Sequence, residues 1–151
     1  MITEQEILEL IKKDKWMMKV LLLASSYNLP NWAIGAGFVK NKVWDYLHGY
    51  SRDQVDTNDI DLVYFDPKGN DEAADKRLAL ELERQTKEMD LKWDVVNEVY
   101  AHKWTNDPPY ESIEDAISRW PETATAVAVT LENGQLRLIT PCGIEDLVNL
   151  M

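Results

Sequence analysis

The sequence predicts an α+β fold in which a mixed β-sheet is covered mainly by helices and followed by a β-hairpin. Two patterns carry this reading. Helix-like and strand-like periodicities succeed each other in the order α, α, β, α, β, α, β, α, and Asn133-Gly134 then separates two further strand-like runs. Both of those residues tolerate positive φ, which makes the pair a strong hairpin signal. With 151 residues, 45% of them hydrophobic, the chain is large enough for a real core, and one domain spanning 1–151 is expected.

The first helix is announced by Thr3 with Glu6 three places later, the form of a capping box, and by Ile7, Leu8, Leu10 and Ile11 at helical spacing. Asp14 is placed to cap a second helix with a buried stripe of Trp16, Met17, Val20, Leu21 and Ala24. After the breaker Asn28-Leu29-Pro30-Asn31, residues 32–34 read as a short buried strand entering a Gly35-Ala36-Gly37 turn. Residues 38–47 are helical, with Phe38, Val43, Trp44 and Leu47 apolar and Gly49 suited to the C-terminus; 51–57 are a polar loop.

Residues 60–65 form the clearest strand, closed by Asp66-Pro67 and Gly69. A charged helix over 71–89 would turn Ala74, Leu78 and Leu82 to the sheet and its Glu, Lys and Arg residues to water. Residues 92–100 form another strand, Pro108-Pro109 breaks the chain, and Ser112 caps a short helix ending near Trp120-Pro121. Strands at 125–131 and 135–140 flank the Asn-Gly turn, and a helix over 144–150 completes the chain.

A formal net charge of -11 argues against a protein that grips an extended nucleic-acid backbone, which needs clustered Lys and Arg. A small anion carried with Mg²⁺ is compatible, because the ion neutralises it. The single Cys142 fits a reducing compartment. The first residues lack a signal peptide's basic start and apolar core, and Val20-Leu21-Leu22-Leu23-Ala24 is far shorter than the roughly 20 residues of a membrane span. A cytoplasmic protein is expected, with its oligomeric state open.

Chemistry concentrates in two places. A small-residue turn entering a helix, as at Gly35-Ala36-Gly37, can bring backbone N–H groups to a phosphate. On the following strand Asp59 and Asp61 point to one face while Ile60, Leu62 and Tyr64 enter the core. Two carboxylates so placed repel each other unless a cation lies between them. In a two-metal site the ions sit roughly 3.5–4 Å apart and stabilise the phosphoryl group in flight. A neighbouring strand usually supplies a third carboxylate; Asp94 is preferred, and Glu98 follows on the same face if that strand is regular. Each motif alone has a plain structural reading: Asp is common at strand starts, and a Gly-Ala-Gly turn permits close packing. Their order, strand, turn, helix, loop, Asp-x-Asp strand, is what points to nucleotidyl transfer.

Around this centre, Lys40 in the first helical turn could meet a phosphate; Asn97 and His102, on or just after the Asp94 strand, are further candidate nucleotide-binding residues, and His102 could orient a substrate hydroxyl or move a proton. His48 reads as a helix-end residue and Cys142 as structural.

Gly35-Ala36-Gly37-Phe38-Val39-Lys40-Asn41 followed by Asn58-Asp59-Ile60-Asp61 resembles the signature of the DNA polymerase β-like nucleotidyltransferase superfamily. The stretches 32–66, 93–102, 107–110 and 120–127 are further similar to a bacterial family of small predicted nucleotidyltransferases, so the resemblance covers most of the chain. It implies a polymerase β-like palm with a two-metal Mg²⁺ site at Asp59 and Asp61, Asp94 as third carboxylate, and Gly35 and Gly37 near the triphosphate. Lys40-Asn41 stands where transfer-RNA nucleotidyltransferases have Arg-Asp, and Ala36 replaces their first Gly. Members of the closer family also tend to run beyond Met151, so a further C-terminal segment is an expectation.

The resulting expectation is a Mg²⁺-dependent enzyme that moves a nucleoside monophosphate from a nucleoside triphosphate to an acceptor yet to be identified and releases pyrophosphate. Asp94 would help deprotonate the acceptor. An alternative is a catalytically inert nucleotide- or partner-binding module on the same fold. A sugar-nucleotide glycosyltransferase ranks last, because it needs a larger nucleotide-binding sheet before its Asp-x-Asp.

Overall fold

A computed structural model describes residues 2–49, 58–69 and 71–149. The expected loop over 51–57 lies outside the described residues. Helices α1 (Glu4–Lys13) and α2 (Lys15–Ser25) open the chain, followed by β1 (Ala33–Gly35), α3 (Gly37–Leu47), β2 (Asp59–Tyr64), α4 (Glu72–Gln85) and β3 (Lys92–Asn97). Short helices α5 (His102–Thr105) and α6 (Ile113–Ser118) lead to the hairpin β4 (Ala128–Glu132) and β5 (Gln135–Ile139), and α7 (Glu145–Val148) comes last. No helix among the described residues is long and apolar enough to cross a membrane.

Local chemistry sets most of these boundaries. Thr3 and Glu6 form the reciprocal capping box of α1, each side chain meeting the other's backbone N–H at 3.1 Å. Asp14 ends α1 and starts α2: one carboxylate oxygen accepts from the Met17 N–H at 3.0 Å, and the other takes a 2.9 Å ion pair from Lys42 of α3. Asp71 caps α4, Ser112 caps α6, and Asn133-Gly134 makes the hairpin turn with φ of 51° and 79°.

The five strands lie in the order β3-β2-β1-β4-β5. The β2–β3 pair is parallel and joined through α4; the other three pairs are antiparallel. A mixed sheet of this kind leaves two unlike faces. On one, Ile34, Ile60, Leu62, Tyr64, Trp93, Val95 and Val129 meet Ile7, Ile11, Met17, Leu21, Phe38 and Leu82 from the helices, together with Leu147 of α7, in the larger core. On the other, Ala33, Val63, Phe65, Ala128 and Ile139 are roofed by Tyr110, Ile113 and Ile117, with Trp120 packed alongside. The second roof stops short, and the acidic ends of β2 and β3 lie beyond it.

Several expectations are corrected. In α3 the core takes Val39, while Leu47, in the last turn of the helix, stays 40% exposed. The charged helix stops at Gln85; a 3₁₀ turn at Lys87–Met89 and a left-handed Asp90 then carry the chain into β3. Within its supposedly solvated face, Asp75 is buried, accepting from the Tyr64 hydroxyl and, at 3.0 Å, from the Asn97 N–H. Strand β3 ends at Asn97 and tightens into a 3₁₀ turn, Glu98–Tyr100, and α5 is an additional short helix.

Candidate active site

Pleat and register assemble the acidic centre. Asp59 and Asp61 share the incompletely roofed face of β2, and the parallel register sets Asp61 beside Asp94 of β3. Across the other edge of β2, Asp61 is paired with Gly35. One carboxylate thus stands between a second carboxylate and the strand that leads into α3. A cleft of about 300 Å³ is lined by Ala36, Asp61, Asp94, Glu98 and Trp120. A second hollow of about 490 Å³ shares Asp61 and Asp94 and adds Asp59, Glu83 and Lys92.

The electrostatics follow from this crowding. Burial raises the Asp61 carboxyl above its ordinary range, and the negative charges of Asp94 and then Asp59 raise it further. Such a site gains by taking up a cation. Its donor chemistry, carboxylate oxygen only, suits a hard divalent ion such as Mg²⁺. Among the described residues, however, no group of three or more His, Cys, Asp or Glu side chains is gathered around one ion position.

The small-residue segment departs from its expected form. Gly35 is the last residue of β1 and not part of a turn. A Cβ there would come within 2.6 and 2.9 Å of the Trp120 ring and 3.2 Å of the Val127 carbonyl oxygen, so its bare face seats an indole. The turn is made by Ala36, at φ 55° and ψ -124°, a region that disfavours a Cβ and signals stored strain. The Ala36 N–H donates to Val127 at 3.0 Å, and its carbonyl accepts from Val39 and Lys40. Gly37 begins α3, with its would-be Cβ meeting only the Asn41 side chain at 3.5 Å. No side chain caps the N-terminus of α3, whereas α1, α2, α4 and α6 are all capped by one. First-turn N–H groups have no partner within their own helix and attract anions.

The remaining candidates are dispersed. Lys40 sits half-buried in the first turn of α3. Asn97 is fully buried and, by the alternation along β3, lies on the face opposite Asp94; its amide donates to the Asp66 carbonyl and accepts from the Asp66 and Val99 N–H groups. It staples the turn after β2 and does not reach the cleft. His102 begins α5, with Nδ1 3.2 Å from the Val99 carbonyl and its ring edge-on to Tyr110 at 5.9 Å.

Glu98 is the residue the sequence undervalued. Its side chain is buried and lines the cleft with Asp61, Asp94 and Trp120. Burial pushes its carboxyl up to about 7 although the Trp120 side chain opposes the shift. The strand has given way to a 3₁₀ turn at Glu98, yet the side chain lines the same cleft as Asp94.

A family model described as nucleotidyltransferase matches residues 23–151. An NMR structure described as revealing a CCA-adding enzyme head domain superposes with a TM-score of 0.83 at 32% identity, over 97% of this chain and 76% of that one. No curated protein matches the chain. The sheet, the acidic pair in register and the match over most of the sequence lead to one assignment: the chain belongs to this nucleotidyltransferase family and has a polymerase β-like fold.

Proposed function

We propose that the protein transfers a nucleoside monophosphate from a nucleoside triphosphate to an acceptor hydroxyl, with Mg²⁺ and with release of pyrophosphate, in the cytoplasm. The observation that carries this reading is the placement of Asp61 between Asp94 and Gly35, at the mouth of a cleft that also contains Ala36 at the start of α3. Asp59, Asp61 and Asp94 are the groups that would hold Mg²⁺, which when bound supplies charge neutralisation at the transferring phosphoryl group.

In this scheme the first-turn N–H groups of α3 bind phosphate oxygens of the triphosphate. The acceptor hydroxyl oxygen bonds to the α-phosphorus as the bond from that phosphorus to the pyrophosphate oxygen breaks, and the hydroxyl proton passes to Asp94. The strained Ala36 backbone fixes the direction in which α3 presents its N–H groups. The family and the fold support the use of a nucleoside triphosphate. The likeness to a CCA-adding enzyme head domain supports a nucleotide-transfer cleft, while the net charge of -11 favours a small acceptor over a long polyanion.

The test is to incubate the protein with ATP, CTP, GTP or UTP and Mg²⁺ over a broad acceptor panel, following pyrophosphate and, separately, nucleotide binding. Pyrophosphate that needs both Mg²⁺ and Asp61 supports the reading. Triphosphate binding with no pyrophosphate across the panel would instead identify an inert nucleotide-binding module.

A further inference from the structure

The cleft beside the acidic pair has an inner half that the phosphate chemistry does not use. There Glu98, only 5% exposed, faces a wall made by Val63, Val96, Trp120 and Pro121. The indole is seated against Gly35, and it lines the same cleft as the Glu98 carboxyl. A carboxylate has about four acceptor positions to offer a donor. Among the described residues lining the cleft there is no Lys or Arg; Lys92 belongs to the adjoining hollow that shares Asp61 and Asp94, and Glu98 does not line that hollow.

These features select by charge and by shape. A carboxylate against an apolar wall, in a hollow of about 300 Å³, repels anions and rewards a compact donor that brings positive charge. An indole plane beside it offers an aromatic ring a stacking or edge contact.

We propose that this inner half is the acceptor pocket of the reaction proposed above, on which the assignment rests, and that it takes a small ring-bearing amino alcohol. The ammonium sits on Glu98, the ring lies against Trp120, and the hydroxyl is directed toward Asp61 and Asp94.

Three probes of one shape and different charge test it: phenylethanolamine, phenylethylene glycol and mandelate. Each is titrated into the ¹⁵N-labelled protein with Mg²⁺ present, and the Trp120 indole N–H signal, identified by its loss in Trp120→Phe, is followed. Phenylethanolamine is expected to shift that signal and to bind about tenfold or more tightly than the glycol, with mandelate weakest. In Glu98→Gln the preference for the amine should vanish while triphosphate binding at α3 persists. Equal affinity across the series, an unmoved Trp120 signal, or an amine preference that survives Glu98→Gln would overturn the assignment. The charge series on the unaltered chain stands even if that variant does not fold. Loss of all triphosphate binding with the amine preference intact would count against nucleotidyl transfer and leave the pocket standing.

Discussion

Gly35→Ala isolates the contact that shapes the cleft. The added methyl would lie 2.6 and 2.9 Å from two carbons of the Trp120 ring and 3.2 Å from a backbone oxygen of the neighbouring strand segment. Overpacking of this kind costs about 1–3 kcal/mol, whereas replacing Gly by Ala in extended backbone returns about 0.4–1 kcal/mol through the unfolded state. The net expectation is a loss of about 1–2 kcal/mol, or about 2–8 °C in Tm for a domain of this size. Urea denaturation followed by circular dichroism gives the free energy. The decisive arm repeats the substitution in a Trp120→Ala background, where the ring is gone and the same methyl should be neutral or mildly stabilising. If Gly35→Ala costs the same with and without the indole, the reading of Gly35 as the seat of Trp120 is wrong.

Three further outcomes are expected. Ala36→Gly should stabilise the protein by about 1 kcal/mol, because glycine adopts φ 55° without strain; thermal melting checks this, and a lower Tm would show that Ala36 is not strained. Asp61→Asn should reduce Mg²⁺-dependent pyrophosphate release on the order of 10³-fold, while raising the Tm of the metal-free protein by removing a carboxylate that Asp94 and Asp59 repel; turnover at the normal rate, or a lower metal-free Tm, would refute the respective half. For Glu98, a carboxyl raised from 4.5 to about 7 keeps its proton in the folded protein after the unfolded chain has released it. Its stabilising contribution, about 3 kcal/mol, is therefore complete below pH 4.5 and lost as pH rises through about 7, so urea midpoints of Glu98→Gln should lack that fall; an unchanged pH dependence would contradict the burial described.

Much of this architecture was legible because local rules and tertiary demands agree. Thr3 with Glu6, Asp14, Ser112 and Asn133-Gly134 each act through a neighbour a few residues away, so their pattern is complete in the sequence. The Asp59/Asp61 pair was equally readable, since alternation along a strand needs no partner, and its juxtaposition with Asp94 followed once the two strands were paired in parallel. What was hidden depends on distant groups. Gly35 signals only a missing side chain; that an indole from position 120 fills the space is a tertiary fact. Asp75 lies in a run of exposed charges, and its burial is decided by the Tyr64 hydroxyl and the Asn97 N–H on two other strands. Alternation along β3 already sets Asn97 opposite Asp94, while the burial of Glu98 was hidden because a 3₁₀ turn follows Asn97 and ends the regular strand. Leu47 has the right type for a core position, yet in the last turn of α3 it stays partly exposed.

The central strand has a consequence for how the molecule is made. β1 is three residues long, yet it pairs with Val63 through Ala33 and with Val129 through Ile34, so half of its hydrogen-bonding edge waits for a segment near the far end of the chain. Contacts so distant in sequence raise contact order and slow folding. During synthesis the amino-terminal helices and β2 can assemble early, but β1 retains a bare edge until the hairpin emerges and docks. The hairpin is thus the closing piece of the sheet. A chain cut before position 128 should be caught half-assembled, with its midline strand open to any other β-edge it meets.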